Sequence, residues 1–365
     1  MPTIGPSHPC FVIADVGINH GGKLHAALAL VDAARSAGAD GVKFRVFKAE
    51  RVSLTPPADL RGLELSPDAF ARIRDHCVDQ RIEFVAGVWD EQSLAELRQL
   101  GPRLLKLGSG EVTNRPLIEA CARSGLATLL STGASTMPEV SRAVGWFHTA
   151  FRGGLPPATH GVELEGGGRL ALLHALSLFD PVPEDANLRA IQTLAARTHL
   201  PVGYSERSRD VQRAALAVAA GACVLQKPLT LNRDAEGLDH RVSLDPLEFR
   251  ALVESVRAVE SAMGDGRKRP MQGESAAREQ LRRWLAAARN LPSGHRLEPD
   301  DLVPVRPGPP QGGIGPYDRL WAVGKKLLKD VSAGECIRQE WLEGVDPPEP
   351  SWFGTTPPRE RPNSM

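Results

Sequence analysis

The chain has 365 residues, which at roughly 150 residues per domain leaves room for about two domains, one of which could be a large barrel. Lys plus Arg and Asp plus Glu each total 44, so no global basic field exists for nucleic acid or anionic lipid, and an anionic ligand must be held by local groups. Five scattered cysteines (Cys10, Cys77, Cys121, Cys223 and Cys336) without paired spacing indicate neither a disulfide framework nor a cysteine-rich zinc site, and fit a reducing compartment. The chain opens on no charged-then-apolar leader, and no apolar run approaches the ~20 residues of a spanning helix. A soluble cytoplasmic protein with no nucleic-acid or membrane partner is expected.

From Phe11 to about Gly264, short apolar runs alternate with segments of period near 3.6. The runs are FVIADV (from Phe11), GVKFRV (Gly41), EFVAGV (Glu83), RLLKLG (Arg103), ATLLST (Ala127), LALLHAL (Leu170), PVGYS (Pro201) and ACVLQK (Ala222). Strand then helix, repeated about eight times, predicts an α/β protein with a TIM (β/α)8 barrel. A doubly wound open sheet is the rival, but no Gly-x-Gly-x-x-Gly follows the first strand. The glycine-rich stretch between Ala143 and Arg169 reads as a loop insertion rather than one helix. After Gly264 come a basic link, a helix candidate over SAAREQLRRWLAAAR, and short strands to about Trp341. The expected organisation is a barrel over 1–265, a linker over 266–283, a small β-rich domain over 284–345, and a Pro-rich tail over 346–365.

In such a barrel the reacting groups lie at the C-terminal ends of the strands. Those positions hold Asp15 with Asn19 and His20, Lys43 with Arg45, Trp89, Lys106 with Ser109 and Glu111, Ser131 with Thr132, His174 with Ser177, Ser205 with Arg207, and Lys227. Cations and small hydroxyls gathered at one mouth suit a compact anion carrying phosphate or carboxylate. The plainer reading is that some of these lysines pair with Glu111, Asp15 or Asp90 and are structural. LGSGE and STGAS each close a strand with a turn that presents backbone N–H groups and a hydroxyl, as phosphate oxygens require. His20, His160, His174 and His240 read as structural or substrate-bonding rather than as a new metal site, and Trp284, Trp321 and Trp341 as packing of the small domain.

The runs IADVGINHGG, AGADGVKF, LLKLGSGEVTN, LLSTGAS, PEDANLRAI, PVGYS and LDHRVSLDPLEF, in this order, resemble the sialic acid synthase family, and RPGPPQGGIGP with WAVGKKLLKDVSAGECI resembles that family's antifreeze-like (SAF) domain. The resemblance implies a TIM barrel that condenses phosphoenolpyruvate with the open-chain aldehyde of an N-acetylated amino sugar, giving a 3-deoxy-2-keto acid and phosphate. It places Lys43, Lys106, Ser109, Ser131 and Ser205 around phosphoenolpyruvate, Glu111 beside the same ligand, and Asp239 beside the acceptor. Asn19, His20 and Ser177 fall with the acceptor. It further implies a domain-swapped homodimer whose small domain lends an arginine, here Arg306, to the partner's sugar site. Addition of the enol carbon to an aldehyde leaves positive character at C2, where water attacks. Lys43 and Lys106 can neutralise the phosphate, and Glu111 or Asp15 can steer the water.

The chain departs from that pattern at one place in particular. The family is expected to hold a divalent metal between two histidines, one in a GYS-x-H turn and one in an EKH turn. Here the turns read Gly-Tyr-Ser-Glu-Arg and Gln-Lys-Pro, with Arg207 and Pro228 at the histidine positions. Neither ligates Mn²⁺ or Mg²⁺, so no required cofactor is expected. The family glutamate of A-E-x-G-x-N-H is Asp15, about 1.5 Å shorter, and the threonine expected after the third strand is Gly87, with Trp89 narrowing the mouth. Three explanations stay open: condensation with Arg207 polarising the carbonyl, use of the enolpyruvyl donor on a different acceptor, and a non-catalytic ligand-binding relative.

Overall fold

The computed structural model describes residues 2–52, 54, 58–152, 162–306 and 313–344. His160 and the tail over 346–365 lie outside these residues. The chain divides into two compact units, Met1–Gly266 and Arg267–Met365.

In the first unit eight parallel strands close into a barrel: β1 (Phe11–Gly17), β2 (Gly41–Val46), β3 (Glu83–Val88), β4 (Leu104–Leu107), β5 (Ala127–Ser131), β6 (Leu170–Phe179), β7 (Val202–Arg207) and β8 (Val224–Pro228), with β8 returning to β1. These are the eight runs anticipated from sequence. Each is buried on both faces, which is why the strands read as nearly unbroken apolar segments rather than as alternation.

A period of two nonetheless sorts the side chains. Phe11, Ile13, Val85, Leu104, Ala127, Leu129, Ala171, Leu173 and Val224 fill the barrel interior, while Val12, Ala14, Val42, Phe44, Leu105, Leu107 and Leu172 pack against the helices. On six of the eight strands the next interior position is polar. Asp15 follows Ile13, Lys106 follows Leu104, Ser131 follows Leu129, and Gln226 follows Val224. The interior is therefore an apolar plug below and a polar layer above, at the C-terminal ends. A short parallel pair, Thr3–Ile4 with Glu163–Leu164, was not foreseen. It adds Ile4, Val162 and Leu164 to the interior apolar cluster.

The stretch read as a loop insertion begins as helix. The helix Met137–Arg152 continues through Gly145, because Val140, Ala143 and Phe147 keep helical spacing and bury.

In the second unit the helix expected over 275–289 stops early, at Leu281. Trp284–Ala287 is instead a strand, antiparallel to Leu302–Val305. Burial of Leu285 and Ala287 with Leu291, Leu297, Leu302 and Ile337 overrides the helical propensity of an Ala- and Arg-rich run. Asp301, 1% exposed, ties this unit together by accepting from Arg289 Nε (2.9 Å) and pairing with His295 Nε2 (2.7 Å). Trp321 and Trp341 pack on the same core, as expected.

Candidate functional site

A cavity of about 260 Å³ opens at the C-terminal ends of the barrel strands. Its floor is the polar layer. Lys43 Nζ donates to Asp15 Oδ1 at 2.9 Å, and Gln226 Nε2 donates to Asp15 Oδ2 at 2.9 Å. Lys106, 6% exposed, donates from Nζ to the Leu107 carbonyl at 2.8 Å and pairs with no carboxylate among the described residues. Burial pushes the Asp15 carboxyl up, but Lys43, Arg45 and Arg207 outweigh it and the carboxyl titrates below its ordinary value. Burial pulls the Lys43 ammonium down despite Asp15. It pulls Lys106 well below the ordinary lysine value, with Lys43 adding to the effect. Gly87 makes this floor possible: a Cβ there would lie 2.9 Å from Lys43 Cε and 3.0 Å from the Phe44 carbonyl oxygen. A threonine at this position would press against Lys43 where it crosses β3.

Hydroxyls share the cavity with the lysines. Ser131, Ser205, Ser177 and Ser109 all line the cavity. The Gly133 N–H donates to Ser109 Oγ at 3.1 Å, so the two glycine-rich turns identified in the sequence meet. A side chain at position 133 would strike Ser177 Oγ at 2.4 Å and Ser109 Oγ at 2.8 Å. Thr132 is spent on the fold, donating to the Leu173 carbonyl at 3.0 Å. Glu111 Oε2 accepts from Asn114 Nδ2 at 2.7 Å.

The upper rim carries two guanidiniums of different standing. Arg45 Nη2 is paired with Asp239 Oδ2 at 2.6 Å, a partnership across 194 residues that nothing in the sequence indicates. Arg207 lies over the Phe179 ring, 5.0 Å from its centroid, and β6 and β7 pair Phe179 with Arg207 directly. Among the described residues no carboxylate pairs with it. Trp89, 38% exposed, stands at the rim near Phe47. Asn19 is held by donating to the Leu229 carbonyl (2.8 Å) and to Ser243 Oγ (3.0 Å).

Fifteen of the positions singled out from sequence, Pro228 among them, thus share one cavity; others do not. Lys227 occupies the opposite face of β8 from Gln226. It is fully buried, with Nζ 2.9 Å from Glu206 Oε1, so its place among the mouth cations is corrected. His20 does not line the cavity. It packs on Phe44, its Nδ1 accepts from the Gly22 N–H at 3.0 Å, and burial pushes its pKa down to about 4. His174 bonds the Ala186 carbonyl at 2.9 Å and His240 bonds Thr230 at 2.7 Å. Arg306 belongs to the second unit and is exposed there.

Sequence reasoning missed Gln226, and it missed the network behind β7 and β8. There Glu206 also accepts from Tyr204 Oη at 3.0 Å and lies 2.9 Å from Arg213 Nε. The signal was available in the period of two. Pro228 faces the mouth, so Gln226 must face it too, and Lys227 must not.

Comparison with known proteins agrees with this geometry. The family model described as the NeuB family matches residues 30–268, and the SAF domain model matches residues 282–343. The N,N'-diacetyllegionaminic acid synthase of Legionella pneumophila is 36% identical, with 93% of this chain and 96% of that protein covered. The chain belongs to the NeuB family. The human N-acetylneuraminate-9-phosphate synthase is 32% identical to this NeuB chain over 93% of its length and 94% of the human protein. A crystal structure of an N-acetylneuraminic acid synthetase from Leptospira borgpetersenii in complex with citrate matches with a TM-score of 0.68 and 32% identity, covering 76% of this chain and 92% of that one.

The resemblance implies a divalent metal between two histidines, and the residues of this NeuB chain do not fit one. Arg207 offers only donors and Pro228 offers no side-chain group. Among the described residues no group of three or more His, Cys, Asp or Glu is placed to hold a metal ion. No helix among the described residues is long and apolar enough to cross a membrane.

Proposed function

We propose that this protein condenses phosphoenolpyruvate with a sugar-like aldehyde to a 3-deoxy-2-keto acid of the nonulosonic type plus phosphate, and that Arg207 polarises the aldehyde in place of a metal. The single observation that carries the reading is the Arg207 guanidinium, paired with no carboxylate among the described residues and held on Phe179, in a cavity with two buried lysines. The names of the Legionella and human relatives, both synthases of nine-carbon acidic sugars, support the reaction class.

In this reading Lys43, Lys106, Ser109, Ser131 and Ser205 hold the donor's phosphate and carboxylate. The donor's C3 attacks the aldehyde carbon while Arg207 stabilises charge growing on the aldehyde oxygen. Water adds to C2, and the bond from C2 to the phosphate oxygen breaks. One water proton ends on the new hydroxyl and the other on phosphate, so the atoms and charges balance. Asp15, bonded on both oxygens and held ionised, is a fixed counter-charge rather than a base. Glu111 is then left to move the proton. Asn19, Ser177 and Asp239 orient the acceptor. Arg306 comes from the partner's SAF domain in a domain-swapped homodimer, with domain limits near 265 and 284.

The Arg45–Asp239 pair favours a variant of this reading in which the acceptor differs from an N-acetylated amino sugar, because the acid meant for that acceptor is already engaged. The test is phosphate release from phosphoenolpyruvate with a panel of N-acetylated and plain aldoses, with the product identified by mass. Tight phosphoenolpyruvate binding without phosphate release on any aldehyde would mark a ligand-binding relative and refute the proposal.

A further inference from the structure

We infer that Gln226 holds the water molecule that attacks C2 of the donor, an inference that rests on the condensation proposed above. Gln226 lies on the cavity floor, opposite Ser205 on β7 and Ile13 on β1, and is 6% exposed. Its amide is fixed end for end, because Nε2 donates to Asp15 Oδ2 at 2.9 Å. The other end, Oε1, is buried and has no donor among the described residues. Neither Lys43 nor Lys106 reaches it: Lys43 Nζ donates to Asp15 and Lys106 Nζ to the Leu107 carbonyl, and neither bonds Gln226. A buried amide oxygen left without a donor is unfavourable, so a bound species must supply one.

Phosphoenolpyruvate cannot. Near neutral pH its carboxylate is ionised, its phosphate is mostly dianionic (second pKa about 6), and it presents acceptors almost alone. The donor must be an O–H that arrives separately. The aldehyde enters past Arg207, Asp239 and Trp89 at the rim, whereas Gln226 lies among the donor-binding groups. Water fits that position and the aldehyde does not. One O–H points to Gln226 Oε1 and the second to the Asp15 carboxylate beside it, which leaves an oxygen lone pair free for C2.

The chemistry is consistent with the residue type. An amide oxygen orients water without removing its proton, so water stays intact until C2 becomes cationic. As the oxygen bonds to C2, one proton passes to the alkoxide formed from the aldehyde oxygen. The second leaves with phosphate as the hemiketal collapses to the ketone.

The test compares wild type with Gln226→Leu and Gln226→Glu, reading phosphate release, phosphoenolpyruvate affinity by calorimetry, and the solvent deuterium isotope effect on kcat. Gln226→Leu is expected to lose about 10- to 100-fold in kcat, the loss of one polar contact made in the transition state. Its phosphoenolpyruvate affinity should stay within about threefold, which also shows that it folds, and its isotope effect should rise as water addition becomes limiting. Gln226→Glu sets a second carboxylate against Asp15. Its activity should recover as pH falls, because the protonated acid has the shape and hydrogen-bonding pattern of the amide. An unchanged kcat in Gln226→Leu, or a loss confined to phosphoenolpyruvate affinity, would overturn the inference and leave Gln226 as a brace for Asp15. No phosphate release by wild type with any aldehyde would overturn the condensation itself, and the inference with it.

Discussion

Replacing Glu206 by Gln removes one negative charge from the network behind β7 and β8 while keeping its shape. Glu206 and Lys227 side chains are both 0% exposed and 2.9 Å apart, and Arg213 Nε lies 2.9 Å from the other carboxylate oxygen. Removal of one partner of such a buried pair costs about 3–5 kcal/mol. Arg213 keeps Asp210 at 3.5 Å and the Pro181 carbonyl at 2.9 Å, so the burden falls on Lys227, left with Ser208 Oγ and the Asp210 carbonyl. Burial already pulls the Lys227 ammonium below its ordinary value even with Glu206 beside it.

Without the carboxylate, Lys227 escapes by losing its proton. From a reference near 10.4 this costs about 4–5 kcal/mol at pH 7 and about 2 kcal/mol at pH 9. The sign follows from linkage: the unfolded variant binds a proton that the folded variant lacks, so stability rises with pH across this window. Urea unfolding of Glu206→Gln and wild type at pH 7 and pH 9, following the barrel transition, should show a large deficit that shrinks at the higher pH. A deficit below about 1 kcal/mol, or one equal at both pH values, would refute the reasoning.

Burial holds Lys106 well below the ordinary lysine value, and a bound trianion beside it would raise it again. Phosphoenolpyruvate binding should therefore take up as much as one proton, and affinity should fall as pH rises between the free and bound pKa values. The buffer dependence of the binding enthalpy checks this, and a proton count of zero would contradict it. Arg207→Ala should lower kcat by about 10²- to 10³-fold, the scale of a lost transition-state donor, with phosphoenolpyruvate affinity nearly unchanged. A matching loss of affinity would move Arg207 to the donor site. Arg306→Ala should raise the KM for the acceptor, with a dimer by light scattering; a monomeric, fully active protein would remove the partner's SAF domain from the site.

The barrel was legible because eight apolar runs recur between helical segments. The floor of the site was legible because Asp15, Lys43, Lys106, Ser131 and Ser205 each fall at a strand's C-terminal end. What stayed hidden depends on pairing at a distance. The Arg45–Asp239 and Lys227–Glu206 bonds join residues on different strands and loops, and Lys43 and Lys227, both lysines near strand ends, differ in role only through the face on which the pleat places them. His20, in the same motif as Asn19, turns inward to Phe44 because its ring packs better there than in the polar cavity. Trp284–Ala287 became a strand because a small core needs Leu285 and Ala287 inside, a demand that local helix propensity does not express.

Under the proposed function, a guanidinium does here what a metal is expected to do elsewhere in the family. The most direct measurement is the rate of phosphate release from phosphoenolpyruvate and a competent aldehyde by protein stripped of metal with a chelator, before and after addition of Mn²⁺ or Mg²⁺. The stripped protein should show full activity and no gain on adding metal. Phosphate that appears only after metal is restored would contradict it.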